Sequence, residues 1–160
     1  MASVHRLPWV FLAYRLPREP STPRISVWRK LRRLGVAQVV DGLVALPLDA
    51  RTREQLEWVA DEVVEAGGEA SIWLAEASSA AQERAIADGM AAAIAEEYRA
   101  LTGEAETALA QPAGQRSRTL GRLRRELRRI RGRDFFPPPE AEGARRAVDE
   151  LAEATRAALR

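Results

Sequence analysis

Two runs of arginine hold the side chains of this sequence whose type and spacing could do chemistry. From Tyr14 to Gly35, YRLPREPSTPRISVWRKLRRLG holds seven basic residues against one acid, and from Arg116 to Arg133 there are nine arginines against Glu126 alone. Guanidinium groups gathered on one surface recognise polyanions. Each phosphate contact adds affinity that weakens with salt, and the planar fork of arginine suits phosphate oxygens and guanine edges. In the first run Arg29, Lys30 and Arg33, with Arg32 beside them, are candidates for DNA phosphate contact, against the alternative of a solvated face that keeps a helix soluble. In the second run Arg118, Arg122, Arg124, Arg125, Arg128, Arg129 and Arg131 are the stronger candidates. An ordinary surface helix would carry acids at i,i+4 to its bases, and here they are nearly missing. Docking of this helix on the acidic middle of the same or a second molecule is the competing account.

A separate grouping is Arg15, Arg18 and Arg24. By helical projection Arg24 lies close to an apolar stripe rather than opposite it. With Arg15 and Arg18 on the preceding turn it could form an anion pocket at a helix N-terminus, where free amides and the macrodipole favour negative charge. Phosphate, sulfate or chromate would fit. The competing reading pairs Arg15 or Arg24 with an acid from the middle of the chain as a structural salt bridge.

Other chemistries find little support. There is no cysteine, which excludes disulfides, thiolate metal sites and thiol redox chemistry. His5 is the single histidine and stands alone near the terminus, so no transition-metal constellation is expected and no cofactor is implied. Ser-His-Asp, Gly-rich phosphate-loop and paired-carboxylate motifs are missing, and the chain does not read as an enzyme. Trp9, Trp28 and Trp73 fall on strands or helix stripes and read as core; Trp58, off its stripe, is the one candidate for base stacking. Phe135 and Phe136, ahead of three prolines, read as packing.

The elements that must position these residues follow from periodicity and punctuation. Trp9 to Tyr14 is an apolar run without a helical polar face, a strand buried on both sides. Ser21 or Thr22 caps a first helix, with Pro23 at the favoured first helical position, Val27, Trp28, Leu31 and Leu34 as its stripe and Gly35 ending it. VAQVV and LVALP flank Asp41-Gly42, the dipeptide typical of type I′ hairpins. Thr52 and Gln55 form a capping box for a second helix with Leu56, Val59, Ala60 and Val63 inward; Gly67-Gly68 ends it, and EASIWLAEA is the fourth strand. This β-α-β-β-α-β order is ferredoxin-like. An Ala-rich helix follows, capped by Ser79 and Gln82, with Ile86, Met90, Ile94, Tyr98 and Leu101 as its stripe. LAQPAGQ is a loop. The Arg-rich helix, about 116–133, has Leu120, Leu123, Leu127 and Ile130 along one side, and a last helix turns Val148, Leu151 and Leu159 inward.

The expected class is α+β: a ferredoxin-like half over residues 1–77 and a mainly helical half over 78–160 packed on it. The net charge of +2 conceals basic ends flanking an acidic middle, since residues 36–110 hold four bases against fifteen acids. WVFLAY is too short for a signal core or a membrane span and is closed by Arg15, so a soluble, cytoplasmic protein without membrane contact is expected.

YRLPREPSTPRISVWRKLRRLG, DGLVALP, TREQLEWVADEVVEAGGEASIWLAE and RDFFPPP together resemble the N-terminal domain of ChrB, the regulator associated with bacterial chromate-resistance operons. The block from Tyr14 to Pro47 is the most specific. The same β-α-β-β arrangement is similar to the central domain of PaaX-type repressors and to the small CRISPR adaptation nucleases. Where those nucleases place a metal-holding carboxylate after the first strand, this chain has Tyr14-Arg15. The resemblance implies DNA binding and transcriptional control of a response to chromate, with chromate or another oxyanion as effector. Dimerisation would present two such surfaces to two half-sites. ChrB proteins usually continue into a second domain linked to chromate resistance itself, to which nothing here corresponds. A non-enzymatic protein-interaction or oligomerising module that never touches nucleic acid is the alternative function.

Overall fold

The computed structural model describes residues 6–160, and His5 therefore lies outside the described residues. Strand β1 (Pro8–Arg15) leads into helix α1 (Thr22–Leu34), then β2 (Ala37–Val40), β3 (Leu43–Pro47), α2 (Ala50–Glu65) and β4 (Glu69–Glu76). Three helices follow: α3 (Ala80–Ala108), α4 (Ala113–Gly132) and α5 (Glu140–Ala157). The chain divides into two compact units, residues up to Met90 and residues from Ala91.

In the first unit the sheet order is β2-β3-β1-β4 with every pairing antiparallel, the ferredoxin-like arrangement. Alternation along β1 sends Val10 and Leu12 to one face with Val44 and Leu46, their partners on β3. All four are fully buried, as are Val27 and Leu31 of α1 and Leu56 and Val63 of α2. Burying such aliphatic side chains is worth about 1.5–3 kcal/mol each, which makes this layer the main stabilising element of the unit.

Local signals explain most boundaries, with three corrections. Helix α1 has Ser21 as N-cap and ends at Gly35, whose φ of 78° is the left-handed conformation that closes a helix. The capping box of α2 sits three residues upstream of the expected pair. The Asp49 carboxylate accepts from Thr52 N–H at 2.7 Å, and the Thr52 hydroxyl accepts from Asp49 N–H at 2.9 Å. Gln55, a turn farther in, is too late to reach the free amides. The Asp41-Gly42 turn is also not type I′, because that turn needs positive φ at both residues and only Gly42, at 77°, has it. The pairing of β2 with β3 also shifts register between Gln38 and Val40. Finally, α5 ends at Ala157, so Leu159 falls beyond the inward stripe and is 78% exposed.

The second unit has one apolar cluster. Ile94, Tyr98 and Leu101 of α3, Leu120, Leu123, Leu127 and Ile130 of α4, and Val148 and Leu151 of α5 meet in it. The Tyr98 hydroxyl donates to Asp134 Oδ2 at 2.7 Å, and Arg133 pairs with Glu97, so two polar links hold the end of α4 to α3. Burial, and then the bond to Asp134, push the Tyr98 phenol above its ordinary range.

Candidate nucleic-acid interface

The α1 arginines are split by helix geometry onto two faces. Arg24, Trp28 and Arg32 lie four residues apart, and with Arg29 they project into a groove of about 690 Å³. Its opposite wall is the end of β1, with Tyr14 and Arg15, and the β2–β3 hairpin, with Gln38 on β2 and Asp41 in the turn. Among the described residues Arg24, Arg29 and Arg32 are exposed and have no carboxylate within 4 Å. Arg15 pairs with Glu69 at 2.8 Å, but both side chains are more than three-quarters exposed, so the pair holds it weakly. Desolvation, reinforced by nearby Asp41, raises the Tyr14 phenol, which therefore remains a hydrogen-bond donor at neutral pH.

Lys30 and Arg33 face the other way, towards α2. Glu62 holds α1 there, accepting from Ser26 Oγ at 3.1 Å and from Lys30 Nζ at 2.5 Å. Arg33 lines the same shallow recess beside Trp58. Of the anion trio expected from the sequence, Arg15 and Arg24 come together and Arg18 does not line the groove. Arg32 and Trp28 join them instead. The signal for both was the four-residue spacing that runs from Arg24 through Trp28 to Arg32, obscured by reading Trp28 as core. Trp9 is indeed fully buried, whereas Trp28, Trp58 and Trp73 are 38%, 65% and 61% exposed.

Helix α4 buries Leu120, Leu123, Leu127 and Ile130 and turns its arginines outward except Arg116, which donates to the Leu109 carbonyl at 3.1 Å. Arg122 pairs with Glu104 at 2.5 Å, Arg129 with Glu126 at 3.4 Å, and Arg133 with Glu97. Arg118, Arg124, Arg125 and Arg128 are exposed, with no carboxylate within 4 Å among the described residues. Arg131, also exposed, lies close enough to Glu142 to lower that carboxyl, although the Arg145 hydrogen bond is the larger cause. Helix α5 shows the contrast. Its Arg145 is matched by Glu142 and Asp149, Arg146 by Glu142, and Arg156 by Glu153, all at i,i+3 or i,i+4. Neutral pairing is what a merely soluble helix looks like, and within α4 it is confined to Arg129 and Glu126.

Among the described residues no group of three or more His, Asp or Glu side chains could hold a metal ion, and no helix is long and apolar enough to cross a membrane. The family model described as Protein ChrB, N-terminal, matches residues 24–112, more than half of the 160, from α1 to the turn before α4. No curated protein and no solved structure matches the chain, and the likeness to PaaX-type repressors is not shown.

Proposed function

The chain belongs to the ChrB N-terminal family, a family of chromate-resistance-related regulatory proteins, and from that premise we propose that it is a DNA-binding transcriptional regulator of a chromate-resistance response. One observation carries the DNA part: the unpaired outer arginines of α4, Arg118, Arg124, Arg125 and Arg128, beside a neighbouring helix whose arginines are all matched. A guanidinium without a protein carboxylate binds phosphate without first breaking an ion pair. Arg122 and Arg129 contribute after exchanging Glu104 and Glu126 for phosphate, and Arg131 lies at the flank. From α1, Arg29 and Arg33 assist, and Lys30 does so only by releasing Glu62. A homodimer would duplicate the surface for two half-sites in cytoplasmic DNA. Chromate or another oxyanion, as effector, would meet Arg15 and Arg24 in the α1 groove.

The test is a fluorescence-anisotropy titration of a duplex carrying the promoter of the adjoining resistance genes. Four phosphate contacts predict a loss of roughly a hundredfold in affinity between about 50 and 200 mM salt. Absence of binding at the lower salt would instead support the protein-interaction module.

A further inference from the structure

We propose that the α1 groove is a binding site for a phosphorylated nucleoside, with the base laid on Trp28 and the phosphates held by Arg24, Arg29 and Arg32. The groove asks for more than a bare oxyanion. At about 690 Å³ it falls in the range of about 300–1,000 Å³ of small-molecule sites, far beyond the needs of one tetrahedral ion. Its wall also presents apolar surface that such an ion leaves wet: Trp28 is 38% exposed and Ile25 48%, both on the helix that carries the arginines. An exposed indole adjoining three unpaired guanidinium groups matches a ligand that is flat and apolar at one end and multiply anionic at the other.

The remaining lining is consistent with that polarity. Asp41 keeps phosphate away from its own end of the groove and offers an acceptor to N–H groups on a base edge. Gln38, whose amide donates to Asp41 at 3.3 Å, leaves its carbonyl oxygen available there. The Tyr14 hydroxyl adds a neutral donor. None of these residues lies on α4, so the site stands whether or not α4 binds duplex DNA.

The experiment titrates the full chain with GTP, ATP, inorganic pyrophosphate and a five-nucleotide single strand by calorimetry, on the wild type, Trp28→Leu and Arg24→Gln/Arg32→Gln, with circular dichroism to confirm folding. The expected result is nucleotide binding at least tenfold tighter than pyrophosphate. Trp28→Leu removes about that factor for nucleotides and leaves pyrophosphate unchanged, and the double arginine variant weakens every phosphate ligand. If the Trp28-dependent gain occurs for the single strand and not for free nucleotides, the same base-and-phosphate chemistry is served by a strand. Pyrophosphate binding as tightly as the nucleotides and the strand, or nucleotide and strand affinities unaltered in Trp28→Leu, would overturn the proposal. An Arg125→Gln/Arg128→Gln variant, outside the groove, keeps nucleotide binding and isolates any failure of the α4 reading.

Discussion

The Tyr14 amide donates to the Gly42 carbonyl at 2.8 Å, and a Cβ added to Gly42 would stand 2.7 Å from the Tyr14 carbonyl oxygen. The hairpin turn is thereby fastened to the end of β1 by two backbones that leave no room for a side chain. This contact sets the distance between the turn, with Asp41, and the strand end, with Tyr14 and Arg15, and so shapes one wall of the α1 groove.

Gly42→Ala is therefore expected to destabilise the protein. The left-handed φ of 77° alone costs a non-glycine residue about 1–2 kcal/mol, and the clash with rigid backbone adds to it. Urea unfolding measures the loss. A midpoint within error of the wild type would show that the turn relaxes freely.

Within α4 the unpaired and paired arginines should separate. Replacing Arg125 and Arg128 with glutamine is expected to flatten the salt dependence of duplex binding by about one unit of slope per lost phosphate contact, with little change in thermal stability. Arg122→Gln breaks the pair with Glu104 and should have a smaller effect on the slope. Equal slopes for all variants and wild type would mean that α4 does not contact phosphate.

Tyr98→Phe removes the donor to Asp134, whose other oxygen is buried without a hydrogen bond among the described residues. The expected cost is about 1–3 kcal/mol for the lost hydrogen bond to a part-buried carboxylate. The phenol also gives stability a pH dependence. Its pKa in the folded protein lies above the ordinary 10.0, so its contribution is complete below that pH and is lost as the pH rises past it, where the unfolded chain ionises first. Urea midpoints measured from neutral to strongly alkaline pH should fall more steeply for the wild type than for Tyr98→Phe; parallel curves would contradict the assignment.

Asp49→Ala is expected to cost about 1 kcal/mol as the loss of an N-cap. The Thr52 amide, as the largest influence, holds the Asp49 carboxyl below its ordinary 3.8. This contribution is thus fully present above that value and disappears as the pH falls through the lower folded-state pKa. A stability profile from neutral to acid pH, with the variant losing less than the wild type below about pH 4, checks the sign.

What the sequence by itself determined about this protein was local. The stripes of α2 and α4, the glycine that ends α1, the hairpin and the β-α-β-β-α-β order are written in neighbours a few residues apart, and Leu56, Val63, Leu123 and Ile130 are buried where their periodicity puts them. Even there, the Asp49–Thr52 box and the single left-handed residue at Gly42 depended on details of backbone angle that composition does not carry. Only the tertiary structure decided which cations are already matched. Lys30 meets Glu62 from 32 residues away, Arg133 meets Glu97 from 36, and Arg122 meets Glu104 from 18, while Arg24, Arg32, Arg125 and Arg128 meet no carboxylate among the described residues. It also decided that Trp28 borders a groove rather than the core. Helical spacing determines which side chains share a face. What that face meets is set by elements distant in the sequence, and charge pairing and exposure follow from that meeting.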